Sequence, residues 1–256
     1  MKGMYGKGHI PNPQNSEFEP IQTLLAKIGS PGPLPASYSL REYAGLVRDQ
    51  SITSACVAFA GVTAIYLRAH RLEIDMPVLS PLASYALTRG TSLLPHEELI
   101  DQGSIPRDFF ETALAFGVCP ESVLPFDPSI VNDPLDLDVF EGSTRIGSYH
   151  SIFEEGWMRG QRIREAIYAG TGVCFAMAVD KAYEGLDSLD VYQDRTGPSL
   201  GGHYQLITGY GPGYFEVMGS WGIGFGEAGI VHIAEEYICN PVECTDLMAI
   251  DIPRST

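Results

Sequence analysis

Apolar positions recur at helical spacing in the first half of the chain and in short glycine-bounded runs in the second. From Ser54 to about Leu72, Val57, Ala58, Ala60, Gly61, Ala64, Ile65 and Leu67 leave few polar breaks. That run predicts a buried helix, with Thr53 or Ser54 as N-cap and Cys56 in the first turn. Pro81 to Thr88 and Arg107 to Phe116 predict two shorter helices, the second opening after Gly103-Ser104-Ile105-Pro106 and stopping at Gly117. Residues 120 to 150 are full of Pro, Asp and Ser and predict a long irregular crossing; Gln161 to Ala169 predicts a last helix. Beyond it the period changes. Val173 to Val179, Tyr204 to Thr208, Tyr214 to Met218, Gly229 to Ile233 and Leu247 to Ile252 predict strands separated by Gly-rich turns.

Helices followed by strands give an α+β chain in two lobes. The helical lobe is expected over about residues 35 to 130 and the β-rich lobe over about 131 to 256, with a site in the cleft between them. Residues 1 to 34 are rich in Gly, Pro, Asn and Ser, with one apolar patch from Ile21 to Ile28. They predict an extended N-terminal arm containing a helical turn, docked on its own domain or on a partner. The glycines of Gly222-Ile223-Gly224-Phe225-Gly226 do not sit between a strand and a helix, so they are read as turn glycines and not as a dinucleotide site.

Composition narrows the partners. Hydrophobic residues make up 45% of the chain and charged residues 19%, enough for a sizeable core. The net charge of −16 argues against a nucleic-acid backbone as partner, and leaves either simple solubility or selection of basic substrates. No apolar run of about 18 residues predicts a membrane span, and the first residues lack a signal-peptide core. The five cysteines, Cys56, Cys119, Cys174, Cys239 and Cys244, are odd in number and mostly lie in apolar runs. That usage fits a reducing compartment, cytoplasmic or virion-associated. Cys239 and Cys244 are close enough in sequence to bridge after oxidation. No metal-ligand spacing occurs around them, and neither metal nor organic cofactor is implied.

Three residues carry the chemistry. Cys56 stands six positions after Gln50 at a predicted helix start, and His203 opens an apolar strand after Gly201-Gly202. A thiol at a helix start, a distant imidazole and an upstream amide are the parts of a cysteine-nucleophile site. A lone Cys or His is more often a packed residue, which is the reading taken for Cys119, Cys174, His9, His70, His96, His150 and His232. The ordered set of blocks changes the balance. Leu34 to Arg41, Gln50 to Phe59, Asp101 to Asp108, Gly117 to Ser122, Gly201-Gly202-His203 and Ser220-Trp221-Gly222 through Gly229 together resemble the papain-like cysteine peptidases, of the bacterial and viral type without a propeptide domain. The resemblance spans roughly residues 34 to 252.

It implies a papain-like two-lobed fold, helical and then antiparallel β, that hydrolyses a peptide or protein substrate. Cys56 would be the nucleophile, with a thiol pKa lowered below about 8.5 by the helix start and a nearby imidazolium. His203 would be the general base and acid, and Gln50 with the Cys56 N–H would receive the oxyanion. Gly103, Ser104, Gly202 and Trp221 would bind substrate. The pattern departs from the family at several points. Gly219 stands where an Asn usually orients the histidine, and Gln205 is the candidate replacement. Val57 replaces a Trp, Thr53 a disulfide cysteine, Ser104 a glycine and Tyr204 a small residue that narrows the cleft. Two readings follow: an active or weakened cysteine endopeptidase, or a catalytically impaired papain-fold module serving a larger assembly such as a phage particle.

Overall fold

The computed structural model describes residues 5–14, 16–29, 32–90 and 99–253. Among the expectations above, Met1 to Met4, Ser30, Pro31 and His96 lie outside them. The elements run β1 (Glu19–Pro20), α1 (Ile21–Ile28), β2 (Tyr38–Ser39), α2 (Cys56–Arg71), α3 (Pro81–Gly90), α4 (Pro106–Ala115), β3 (Ser148–Ser151), α5 (Gly156–Tyr168), β4 (Val173–Val179), α6 (Lys181–Glu184), β5 (Val191–Tyr192), β6 (Gly201–Gly211), β7 (Tyr214–Met218), β8 (Ile230–Ala234), α7 (Glu235–Ile238) and β9 (Cys244–Asp251).

The strands join one sheet in the order β1-β3-β9-β4-β6-β7-β8-β5, with β2 on β6. Its centre is antiparallel: β4 pairs with β6 from Val173↔Ile207 to Val179↔Gly201, and β6 pairs with β7. The helical layer forms because α2 is apolar on nearly every side, so it packs against β6 on one side and α3 and α4 on others. Gly61 of α2 lets the Phe109 ring of α4 approach closely. Among the described residues no helix is long and apolar enough to cross a membrane.

Three sequence expectations change. The patch from Ile21 to Ile28 is a two-turn helix whose Ile21, Leu24 and Leu25 are buried, and β1 before it adds to the sheet edge beside β3. The helix after Cys56 has Ala55 at its N-cap with no side-chain cap, because Thr53 Oγ1 donates to Gln50 O (2.7 Å) and Ser54 Oγ to Asp101 O (3.3 Å). The helix expected from Gln161 begins earlier, at Gly156, and two four-residue helices, α6 and α7, follow it. All five cysteines are free and buried.

Candidate active site

Cys56 is the first residue of α2 and follows a tight loop in which Ser51 takes a left-handed conformation (φ 57°). Gln50 ties this loop together. Its Nε2 donates to Thr53 O (2.7 Å), its backbone N–H to Ser220 O (2.8 Å), and its Oε1 accepts from Ser220 Oγ (2.5 Å). The loop before the thiol is thereby pinned to the segment after β7. One N–H of the Gln50 amide is spent on Thr53, and the second is left for another acceptor.

His203 lies on β6 opposite Met177 of β4. The Cys56 thiol receives the backbone N–H of Tyr204, the residue after His203, and that of Gly8. The N-terminus of α2, which carries Cys56, thus abuts β6, which carries His203. Trp221 stacks on the His203 ring (centroids 4.3 Å, interplanar 19°). Among the described residues, neither ring nitrogen of His203 has a hydrogen-bond partner. Gln205, the expected substitute for the missing Asn, instead accepts from the Tyr183 hydroxyl, and its buried Nε2 has no partner among the described residues. A Cβ at Gly219 would stand 3.7 Å from Gln205 Oε1, so Gln205 fills the neighbourhood of the absent side chain without reaching the histidine.

The cleft is occupied by the chain's own arm. Tyr5 stacks on Trp221 (4.5 Å, 9°), Gly6 N donates to Ser51 O (3.1 Å), and Trp221 Nε1 donates to Gly6 O (3.1 Å). Next, Ser104 N donates to Gly8 O (2.8 Å), His9 N to Gly202 O (3.2 Å) and Ile10 N to Ser104 O (3.0 Å), a parallel bridge across Ser104. Gly103 sits under this strand at φ 97°, and a Cβ there would strike Gly8 O at 2.1 Å. The arm's glycines meet the same limit. A Cβ on Gly6 would lie 1.9 Å from Thr53 O, and one on Gly8 1.8 Å from Ser54 O. Five of the residues that the sequence nominated for catalysis or substrate binding, Cys56, Gly103, Ser104, Gly202 and Trp221, thus lie along the path of one extended segment.

Burial sets the protonation states. Cys56 and His203 are both 0% exposed. Desolvation pushes the Cys56 thiol up to about 11, although N–H groups of Tyr204, Gly8, Val57 and Cys56 itself pull the other way. Desolvation, then the charges of Lys7 and His9, push His203 down to about 3. This reverses the lowered thiol pKa expected from the sequence. With the arm in place the pair is a neutral thiol beside a neutral imidazole.

Sequence reasoning assigned His9 a structural role and passed over Lys7, Glu184 and Asp246. His9 Nε2 lies 2.6 Å from Asp246 Oδ2, with its ring parallel to that of Tyr204, and Lys7 forms an ion pair with Glu184. Tyr204 is fully buried and donates its hydroxyl to Asp246 O (3.0 Å), so it floors the space His9 fills. The missed signal was Gly6-Lys7-Gly8-His9 itself. Glycine at every second position is what an extended strand needs when one face lies against backbone.

No protein-family model and no curated protein matches the chain. Solved structures do. Xylellain, a cysteine protease from Xylella fastidiosa, has a TM-score of 0.77 at 22% identity, covering 99% of this chain and 98% of that one. Procathepsin B S9 from Trypanosoma congolense has a TM-score of 0.75 at 16% identity, covering 98% and 87%. Bromelain from Ananas comosus, in complex with the E64 inhibitor, has a TM-score of 0.67 at 19% identity, covering 86% and 100%. Such identities speak to architecture, and on that the sheet, the helical layer and the three relatives agree: the chain has the papain-like cysteine peptidase fold.

Proposed function

We propose that the chain is a papain-like cysteine endopeptidase held latent by residues 5 to 10 of its own arm. In the opened enzyme, His203 takes the Cys56 proton and the thiolate attacks a peptide carbonyl. The second Gln50 N–H and the Cys56 N–H receive the oxyanion, and His203 returns the proton to the departing amine. Water then attacks the thioester with His203 again as base, releasing the acid and restoring the thiol. The observation that carries this reading is the arm's path. It makes strand-like hydrogen bonds to Ser104 and Gly202, the backbone pairing expected of an extended peptide in the cleft, and brings its Gly8 N–H to the Cys56 sulfur.

Latency follows from the same contacts, since the arm excludes water and holds the pair neutral. The test uses the full chain with Gly6→Ala and Gly8→Ala together, whose methyl groups meet immovable backbone oxygens. The expected result is labelling of Cys56 by an epoxide or vinyl-sulfone reagent about tenfold faster or more than in the unaltered chain. That is the shift in the closed population produced by an overpacking cost of about 1–3 kcal/mol. Cys56 should also outpace Cys119, Cys174, Cys239 and Cys244, and peptide hydrolysis should rise in step. Equal labelling of all five thiols would end the peptidase reading. Gly219 and the unpartnered imidazole favour a second reading, a retired protease serving as a binding module. Its signature is rapid Cys56 labelling without any hydrolysis.

A further inference from the structure

The arm is a peptide already seated in the cleft, and its side chains report what the cleft walls accept. On each side of Gly8, whose N–H touches the Cys56 sulfur, the arm places a basic residue against a carboxylate. Lys7 pairs with Glu184, and His9 pairs with Asp246 at 2.6 Å. All four side chains are largely withdrawn from water, at 12% and 22% exposed for the first pair and 6% and 13% for the second. We propose that the cleft selects substrates with cationic side chains on both sides of the residue over Cys56, with Glu184 and Asp246 as the selecting carboxylates. This deepens the peptidase reading above and rests on it.

Both carboxylates are held by their own surroundings. Glu184 ends α6, whose first turn is fixed by Asp180, a buried side chain that accepts from the N–H groups of Tyr183, Thr196 and Gly197, each at 2.9 Å. Asp246 sits at an irregularity of β9. Cys174 and Ala176 of β4 pair with Met248 and Thr245, so β9 carries one extra residue across that step, and Asp246 adopts φ 51°. A non-glycine residue is uncommon in that region, and bulges re-aim side chains beside sites. Here the bulge turns a carboxylate to the cleft, where among the described residues it takes hydrogen bonds from His9 and from the Asn12 N–H, both of the arm. Once the arm leaves, an apolar side chain in that place would strand the carboxylate, which is how a site rejects as well as selects. The net charge of −16 adds a field that draws cationic chains inward.

The test has two parts. In the full-length Gly6→Ala/Gly8→Ala chain, peptides carrying Arg or Leu at each position flanking the scissile bond are compared by kcat/KM. Arg should exceed Leu by about tenfold or more at one position on each side, the scale of a desolvated charge pair. Asp246→Asn should erase the preference on one side and Glu184→Gln on the other, each sparing its opposite. Leu equal to Arg on both sides, or preferences indifferent to both substitutions, overturns the proposal. Adding Cys56→Ala and measuring fluorescence anisotropy of the same peptides removes chemistry from the question. Arg-selective binding without hydrolysis in the parent sinks the peptidase reading and keeps the selection; unselective binding sinks the selection alone. In the otherwise unaltered chain, His9→Arg should leave Cys56 shielded from iodoacetamide while His9→Leu exposes it, and equal labelling of the two again overturns the proposal.

Discussion

A Cβ at Gly219 would stand 3.5 Å from the Phe225 ring and 3.7 Å from Gln205 Oε1, ordinary van der Waals distances, and Gly219 is not in the left-handed region. A side chain therefore fits there, and an amide would supply the acceptor that the His203 ring lacks. Gly219→Asn in the arm-released chain is expected to raise kcat by about tenfold or more, with the melting temperature little changed, since orienting a catalytic imidazole is worth large factors in comparable triads. An unchanged kcat and pH profile would mean that the ring is already held by its stacking on Trp221. At this scale the sequence nominates candidates wherever a residue type carries chemistry by itself, and Cys56, His203 and Gln50 were legible as candidates in that sense. Asp246 was not, because its aim depends on a bulge that exists only relative to β4. His9 was not, because a histidine in a Gly-rich stretch has no periodic setting to mark it.

Helices and strands were legible in proportion to their length. The sixteen residues of α2 and the long run of β4 and β6 carry several turns or alternations, whereas α6 and α7 have four residues each and β1 has two. Such short elements are fixed by neighbours and leave little periodicity to read. The N-cap of α2 was misplaced for a related reason: Thr53 and Ser54 have cap-forming side chains, but the loop and Asp101 use them first. The contact between α2 and α4 gives an element-scale prediction. A Cβ on Gly61 would lie 2.1 Å from the Phe109 ring, which is itself buried against Phe110. Gly61→Ala is expected to cost about 1–3 kcal/mol of stability, read as a lower denaturation midpoint at unchanged slope. A midpoint equal to that of the unaltered chain would show that α4 yields freely.

For the molecule as a whole, the buried imidazole links folding to pH. His203 is held near 3 in the folded chain by desolvation and the charges beside it, against about 6.5 when unfolded. Below about 6.5 the unfolded chain binds a proton that the folded one refuses. This contribution to stability is therefore present above that pH and is lost as pH falls towards about 3. His150 and His232, lowered mainly by burial, act in the same direction. Urea midpoints should fall between pH 7 and pH 5, and His203→Gln should flatten that slope; an unaltered slope would place the effect elsewhere.

The anchoring of α1 has a further consequence. Lys27 and Arg68 share the Asp251 carboxylate, and β1 is hydrogen-bonded to β3, so the chain just beyond the inhibitory segment is fastened to the body. On the latent-peptidase proposal, residues 5 to 10 act as tethered inhibitors at high effective concentration, and dilution alone does not remove them. Severing the link between Ile10 and Glu19 would turn that tether into an ordinary ligand, lost by diffusion, and a reversible silence into a permanent activation.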